Sequence, residues 1–273
     1  MEIVYQGTNS GYRARRLLGP PLSNKRHSPQ SRFGRGVREL ASGMAEAIWT
    51  TRCIICDTPG RVLCDSCRIC LPFIDRWLAC PRCGSPYGRA QCVDCNTFTL
   101  AEIGRSGIPF ERCVSAIEHR DAARSIVTGY KDAGERRLAG DIARMIADAI
   151  PQLWIASDAL LAYVPADRLA RRRRGFDHMA LVAEELARML EIPCGHLLRK
   201  TPVADQRGLS RRERFANMSG AIRAGAQAYA ASGTHVILVD DVYTTGATLF
   251  AACDALHAAG IRQVHCATFA RVP

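Results

Sequence analysis

Two short stretches of the sequence carry residues whose types and spacing suit chemistry. The first holds nine of the chain's thirteen cysteines, between Cys53 and Cys95. Eight of these form four C-x2-C pairs, and such a turn places two thiolates on one side of a tight knuckle. The second stretch, Val236 to Leu249, passes from an apolar segment through two aspartates into small and hydroxyl-bearing residues. Such a loop can direct backbone N–H groups and hydroxyls at a phosphate group.

The cysteine pairs predict two metal sites. Four thiolates make the closed tetrahedral shell that structural Zn²⁺ prefers, so we expect about two zinc ions per chain. A redox dithiol and an iron–sulfur cluster are the alternatives. Sequential pairing of the C-x2-C turns is the simplest arrangement, and it leaves Cys70 as a spare thiol. The predicted ligands are Cys53, Cys56, Cys64 and Cys67 in the first quartet, and Cys80, Cys83, Cys92 and Cys95 in the second.

The second stretch predicts a strand, a loop and a helix. The strand, Val236 to Val239, is expected to end in Asp240 and Asp241, which can accept hydrogen bonds from ribose hydroxyls. The helix, Thr248 to Ala259, directs its N-terminal dipole at the loop and favours an anion there. Ligands bind at the carboxyl ends of parallel strands in open α/β sheets. A Walker loop is excluded because no Gly-Lys-Ser/Thr is present.

Strands and helices alternate along the rest of the chain, which predicts an α/β fold with a mostly parallel sheet. Apolar periodicity and short buried runs give the expected elements. The predicted strands are Cys113 to Glu118, Ala159 to Val164, and Gln263 to Phe269, and the predicted helices are Asp121 to Ile150 and Phe176 to Leu190.

Composition indicates a soluble protein of the cytoplasm. The 273 residues include no apolar run that approaches the ~18 needed to span a bilayer, so we expect no membrane insertion. The formal net charge is +11, which suits nucleic acid or phosphorylated small molecules as partners. Part of this charge lies in residues 1–43, which are expected to be disordered. Met44 is a candidate true start, and a transit peptide is the alternative.

The segment Val236 to Leu249 resembles the PRPP-binding (phosphoribosyl-pyrophosphate-binding) signature of type I phosphoribosyltransferases. The resemblance implies that Asp240 and Asp241 hold the ribose diol. It also implies that the 5′-phosphate is bound by Thr244, Thr245, Gly246, Ala247 and Thr248. It further implies a type I phosphoribosyltransferase-like sheet with helices on both faces.

The wider chain is similar to the ComF/GntX family, in which a zinc module precedes a phosphoribosyltransferase-like domain. The matching motifs are Tyr130-Lys131, Val164-Pro165 with Arg168, Arg174-Gly175-Phe176, Gln206, Gly208-Leu209-Ser210, Arg211 to Arg214, and Asn217. The chain departs from the family pattern at Asp177-His178, where Asn-Gln is expected, and at Glu118-His119-Arg120. The resemblance covers about residues 50–272 and implies a double zinc ribbon at 50–105 and a phosphoribosyltransferase-like domain at 110–273; composition predicts a disordered basic tail at 1–49, outside the resemblance.

The same resemblance places basic residues around the pocket. It puts Pro165, Arg168 and Arg174 on the pyrophosphate side, with a catalytic role for Arg168 beside the two aspartates, and Arg212 and Arg214 in a mobile hood. From residue types alone, the run Arg171 to Arg174 is either an anion-binding surface or a solvated helix face, and Lys131 either reaches the site or lies on the surface. His178, His235 and His265 show no ligand spacing, so we expect a core or surface role for each.

Two functions follow from the family. One is a competence or DNA-uptake accessory protein that binds PRPP or a related ribose phosphate, together with single-stranded DNA or a DNA-uptake helicase. The other is an active phosphoribosyltransferase that uses Mg²⁺-PRPP and transfers ribose 5-phosphate to a base or an amine.

Overall fold

A five-stranded parallel sheet forms the centre of the fold in a computed structural model, which describes residues 51–155, 158–202 and 208–273. Its spatial order is β1-β7-β6-β2-β3, and every neighbouring pair is parallel. A separate antiparallel pair joins β4 and β5. The strands are β1 Arg112–Glu118, β2 Ala159–Tyr163, β3 Cys194–Gly195, β4 Leu198–Lys200, β5 Ile222–Ala224, β6 His235–Tyr243 and β7 Gln263–Arg271.

Helices connect the strands and cover both faces of the sheet. A 3-10 turn, Gln152–Trp154, lies between the fourth helix and β2. The α-helices are α1 Asp65–Ile69, α2 Thr97–Ala101, α3 Asp121–Lys131, α4 Leu138–Ala149, α5 Arg168–Arg174, α6 His178–Leu190, α7 Arg211–Met218, α8 Ala226–Ala230 and α9 Ala247–Ala258. In the described part of the chain, none of them combines the length and apolar character that crossing a bilayer requires.

The central strand β6 divides the hydrophobic core in two, because successive side chains of a strand point to opposite faces. Ile237 and Val239 pack in one cluster with buried residues of α4 and α6. Val236 and Leu238 pack in the other cluster with buried residues of α9. All four side chains are fully buried, which accounts for the unbroken apolar run that predicted this strand. The predicted fold class is therefore confirmed.

The cysteine-rich segment lies along the outer edge of β1. Ile74 donates a backbone hydrogen bond to Ala116, Glu118 donates to Pro72, and Cys113 donates to Arg82. These bonds satisfy edge groups that a bare strand would leave unpaired. The segment also adds side chains to both hydrophobic clusters, and residues 50–273 form one compact unit. The boundary between a zinc module and a second domain at residues 105–110 therefore stays a prediction.

The structure corrects several predicted boundaries. The single helix expected from Asp121 to Ile150 is two helices, because the chain turns between α3 and α4 and Gly134 adopts φ +72° there. Strand β6 continues to Tyr243, so the aspartate pair lies within it rather than after its end. Strand β7 likewise continues past Phe269 to Arg271. Helix α6 begins at His178 and is capped by Asp177.

Some predictions fall outside the described residues. They concern the basic tail at 1–49 with the alternative start at Met44, and also Gln206, one of the residues that match the family.

Candidate functional site

The aspartate pair lies where the strand order of the sheet reverses. From β2 the chain continues to β3 on one side, and from β6 it continues to β7 on the other. Such a reversal opens a crevice at the carboxyl ends of the two central strands, the usual ligand site of open α/β folds. The N–H of Val164 donates to the carbonyl of Val239 at 3.0 Å. The Pro165 loop after β2 and the aspartates of β6 therefore share this crevice.

Asp240 is buried with little compensation for a negative charge. Its side chain accepts a hydrogen bond at 2.9 Å from the backbone N–H of Asp241. Burial, followed by repulsion from Asp241, raises the pKa of Asp240 to about 7, although Lys131 and Lys200 oppose the shift. Near neutral pH this carboxyl group is partly protonated, so it can donate as well as accept hydrogen bonds from a sugar.

Asp241 is ionised and held by two cationic or polar partners. Lys131, the last residue of α3, forms an ion pair with its carboxylate. His178 lies with Nε2 2.6 Å from Oδ2 of the same carboxylate. Burial opposes ionisation, but Lys131 and then His178 outweigh it and hold the pKa of Asp241 far below its usual value. Lys131 is thus a site residue rather than a surface lysine.

His178 lies in the candidate site beside Asp241, although only a core or surface role was predicted for it. The imidazole is buried at the N-terminus of α6, and its backbone carbonyl accepts a hydrogen bond from Tyr130 at 2.5 Å. Its Nδ1 lies 3.5 Å from the guanidinium of Arg174, which can only donate. Nε2 therefore carries the hydrogen that is directed at Asp241. One feature of the sequence could have indicated this position of His178, namely the departure from the family pattern at Asp177-His178.

The predicted phosphate loop forms an open turn between β6 and α9. Thr244 is exposed, Thr245 and Thr248 are half-buried, and Ala247 begins the helix. Gly246 is the N-cap with φ +89°, a conformation that glycine adopts without strain. The first N–H groups of a 12-residue helix thus end at the crevice, where the helix dipole favours a phosphate.

The predicted pyrophosphate side is assembled by Asp177. Its carboxylate accepts from the N–H of Ala166 in the loop after β2 at 3.1 Å, and it also caps α6. Pro165 is buried in this loop, whereas Arg168 begins α5 and is exposed. Arg174 ends α5 with a side chain that is 15% exposed and faces His178. The loop and Arg174 therefore border the crevice.

The predicted hood arginines, Arg212 and Arg214, lie on α7, which comes between β4 and β5 along the chain. The Nε of Arg214 donates to the carbonyl of Leu209 at 3.0 Å. Arg212 is exposed and lines a groove of about 730 Å³ that Arg105 and Phe215 also line. Among the described residues, neither arginine contacts the aspartate pair. Their roles toward pyrophosphate stay predictions.

Both cysteine quartets form compact ligand sets with the predicted sequential membership. Within each set, the sulfur atoms lie within 4.8 Å of one another. Sulfur separations within the sets include 3.6 Å between Cys56 and Cys64, 3.6 Å between Cys80 and Cys95, and 3.5 Å between Cys83 and Cys92. Tetrahedral zinc with Zn–S of about 2.3 Å requires sulfur separations of roughly 3.8 Å, so either set could hold such an ion. Cys70 is exposed and outside both sets.

We expect two zinc ions per chain that leave at different rates. Cys56 of the first cluster is exposed, whereas three ligands of the second cluster are buried. A chelator should therefore remove zinc from the first cluster in a fast phase and from the second in a slower phase, as followed by the absorbance of a metal indicator. Replacing Cys56 with Ser should abolish the fast phase alone. Purified protein without zinc, or loss of the slow phase instead, would contradict this assignment.

The chain is similar to known proteins over much of its length. A family model described as "Phosphoribosyl transferase domain" matches residues 180–273, which include β6 and the phosphate loop. The chain is 27% identical over 201 residues to Competence protein ComFC of Bacillus subtilis strain 168, covering 73% of this chain and 80% of that protein. It is also 27% identical over 192 residues to DNA utilization protein YhgH of Salmonella typhi, covering 67% and 80% respectively.

Solved structures show only a weak likeness. The allosteric regulatory enzyme of purine biosynthesis aligns at 18% identity with a TM-score of 0.32, over 49% of this chain and 25% of that chain. A score this low does not establish a common fold by itself. The assignment depends on the sequence relatives, the family domain and the cysteine clusters, and these identify the chain as a homologue of the ComFC/YhgH competence proteins with a phosphoribosyltransferase domain.

Proposed function

We propose that this competence-related protein binds PRPP or a related ribose phosphate in the crevice between β2 and β6, and that it binds single-stranded DNA nearby. One observation carries the first part: the aspartate pair and the N-terminus of α9 lie together where the strand order reverses. A cytoplasmic location belongs to the same proposal.

The crevice offers complementary groups to each part of PRPP. Asp240 and Asp241 accept hydrogen bonds from the ribose diol, and the ionised partner gives the stronger, charge-assisted bonds. The loop from Thr244 to Thr248 directs N–H groups and hydroxyls at the 5′-phosphate. The backbone after Pro165, with Arg168 and Arg174, faces the pyrophosphate. Mg²⁺ would arrive with the pyrophosphate, whose oxygens it prefers.

DNA cannot use the diol site in the same way. A deoxynucleotide within a strand has no 2′-hydroxyl, and its 3′-oxygen is part of a phosphodiester, so the aspartates would face negative charge. We therefore place DNA on α5, where Arg171, Arg172 and Arg173 are exposed beside the crevice. Guanidinium groups bind backbone phosphates, and such binding weakens as salt rises.

The cysteine-rich segment is proposed to contact a protein partner, such as a DNA-uptake helicase. It exposes large apolar side chains, among them Trp77 at 64%, Val93 at 70% and Phe98 at 84%. Apolar side chains exposed to this degree favour a protein–protein contact when they lie close together.

Turnover is the second candidate function, and the intact aspartate pair favours it. An active enzyme would bind Mg²⁺-PRPP, form a bond from ribose C1 to the nitrogen of a base or an amine, and release pyrophosphate with the electron pair of the broken C1–O bond. The crevice would then have to stabilise positive charge at C1, which the aspartates are placed to do.

Titration of zinc-loaded protein tests the proposal. Calorimetry should detect saturable binding of Mg²⁺-PRPP, and a fluorescent oligo-dT should bind without competition from PRPP. Raising salt from 50 to 200 mM should weaken oligonucleotide binding at least tenfold, given about three phosphate contacts or more. No binding of PRPP would contradict the ribose-phosphate site. Pyrophosphate release with a defined acceptor would favour the enzyme instead.

Charge-matched variants locate the DNA. Replacing Arg171, Arg172 and Arg173 together with Ala should abolish most of the salt-dependent oligonucleotide binding and leave PRPP binding within threefold. The control removes the same charge elsewhere, by Ala at the exposed Arg61 and Arg188 and the half-buried Arg68. A larger loss in the control would place DNA away from α5.

A further inference from the structure

A fully buried arginine connects the second cysteine cluster to the sheet. Arg271, in β7, has no exposed surface. Its Nη1 donates to the carbonyl of Cys83 at 2.8 Å, and its Nη2 lies 2.9 Å from the carboxylate of Asp94 and 3.6 Å from the sulfur of Cys83. A buried charge is tolerated only when it is paired. Cys83 is a ligand and Asp94 precedes another, so the pairing depends on this cluster.

The guanidinium of Arg271 also packs on Tyr243, a residue next to the phosphate loop. The guanidinium carbon of Arg271 lies 3.7 Å from the ring centroid of Tyr243, which is itself buried. Gly246 lies against the hydroxyl end of this side chain, where an added Cβ would meet the tyrosine oxygen at 2.7 Å. Tyr243 is therefore the floor of the loop, and a cation–π contact with Arg271 fixes its ring.

The cluster can hold Arg271 in place because its knuckle is packed tightly on β1. The carbonyl of Arg82 accepts from the N–H of Cys113 at 2.8 Å. Gly84, with φ +70°, would bring a Cβ within 2.5 Å of the carbonyl of Cys113. Zinc bound by these four cysteines would supply the bonds that close the knuckle, and the four thiolates around it would carry a net negative charge that suits a neighbouring guanidinium.

The predicted hood helix, α7, also contacts the second cysteine cluster, through Asp94. Asp94 accepts from Ser85 at 2.6 Å through its side chain. Its backbone carbonyl accepts from Nη2 of Arg211 at 2.9 Å, and Arg211 is the first residue of α7. Asp94 therefore contacts both Arg271, which lies on the floor of the phosphate loop, and the first residue of the hood helix.

We propose that Arg271 is a positioning residue through which metal at the second cluster sets the affinity of the phosphate loop for ribose phosphates. This inference rests on the proposed PRPP site and adds a coupling between it and a zinc site. With the cluster loaded, Arg271 holds Tyr243 beneath Gly246. When the knuckle opens, the arginine loses its partners, Tyr243 is released, and the loop no longer presents its N–H groups together.

The direct test compares two arginines that each form an ion pair between residues 51–105 and the C-terminal part of the chain. Arg271→Met should lower PRPP affinity at least thirtyfold and speed chelator-driven release of one zinc at least tenfold. Arg105→Met is the matched control, because Arg105 pairs with Asp254 on α9 and contacts neither the cluster nor Tyr243. It should leave both quantities within threefold of the parent protein.

Reciprocity distinguishes coupling from a simple structural defect. If metal at the second cluster strengthens PRPP binding, PRPP must strengthen metal binding by the same factor. Saturating PRPP should therefore raise the equilibrium affinity of the second cluster for zinc in the parent protein, as measured by competition with a chelator, and leave the affinity of the first cluster unchanged. In Arg271→Met this increase in affinity should disappear. An unchanged zinc affinity of the second cluster with PRPP bound would overturn the coupling.

A milder variant covers the case in which Arg271→Met does not fold. Asp94→Asn keeps the shape of the side chain and removes one charged partner of Arg271, so it should lower PRPP affinity about fivefold with two zinc ions retained. Parent-level affinity in both variants would overturn the proposal. If the parent protein itself does not bind PRPP, the proposed function fails, and the zinc-release rates of the two arginine variants still decide whether Arg271 holds the cluster.

Discussion

Asp241→Asn is expected to lower PRPP affinity at least 100-fold, and Asp240→Asn at least tenfold. An amide cannot provide the charge-assisted bonds that the carboxylate of Asp241 offers to ribose hydroxyls. The loss at Asp240 is smaller, because that carboxyl group already carries a proton part of the time near neutral pH. Calorimetry with Mg²⁺-PRPP measures both. Asp254→Asn, on α9 beside Arg105, is a control that should bind normally.

The same two variants should change stability in opposite directions. The pKa of Asp240 is raised to about 7 by burial, so its protonated form stabilises the fold at low pH and that contribution is lost as pH rises from about 4 to 7. Asn avoids this loss, so Asp240→Asn should be more stable than the parent protein at pH 8, by about 1–4 kcal/mol. The difference should shrink at pH 5.

Asp241 has a lowered pKa, so its contribution to stability is present above pH 4 and is lost only in strong acid. Asp241→Asn leaves Lys131 and His178 without their carboxylate. It should therefore be less stable than the parent protein at both pH 5 and pH 8. Thermal melting at the two pH values checks all of these signs. Equal effects of the two substitutions would show that the carboxyl groups are not electrostatically distinct.

The second large effect is expected at the phosphate loop, from Gly246→Ala. Any residue other than glycine is strained at φ +89°, and the new Cβ would also lie 2.7 Å from the oxygen and 2.9 Å from the ring carbon of Tyr243. That ring cannot move freely, because Arg271 lies on its face. We expect PRPP affinity to fall at least thirtyfold and the free energy of unfolding to fall by about 2–4 kcal/mol.

Gly233→Ala separates backbone strain from steric overlap. Gly233 has φ +85°, nearly the same conformation, but an added Cβ there meets nothing within 4 Å. This control should lose only about 1–2 kcal/mol and should bind PRPP within threefold of the parent protein. Denaturant unfolding and calorimetry measure both variants. Equal losses of affinity would show that Tyr243 does not support the loop.

The parts of the molecule that depend on local spacing were predictable. Each C-x2-C pair is a local turn, and the two quartets assemble as the spacing indicates. The buried run Val236 to Val239 and the aspartates after it gave the central strand and the candidate site. The predicted end of β6 was wrong because polar residues at the end of a strand look like loop residues in a sequence.

The contacts of His178 and Arg271 were not predicted, because both residues contact distant parts of the chain. His178 reaches Asp241 across 63 positions, and Arg271 reaches Cys83 across 188. Neither partner is visible from local periodicity. Arg271 did leave a signal, because a charged residue directly after a fully buried apolar run is either exposed or paired in the interior. Choosing between these two required the fold.

The contact between Arg271 and Cys83, which are 188 positions apart in the sequence, affects the order of folding. The first strand of the sheet, β1, pairs with the last, β7, and the second cysteine cluster contacts β7 as well. Closing such a distant pairing is slow, because the entropy of the intervening chain must be overcome before any contact forms. While the ribosome is still making the intervening segments, the thiolates of that cluster lack their arginine and remain open to oxidation. We therefore expect newly made chains to depend on prompt zinc loading, and refolding in excess chelator to yield little native protein.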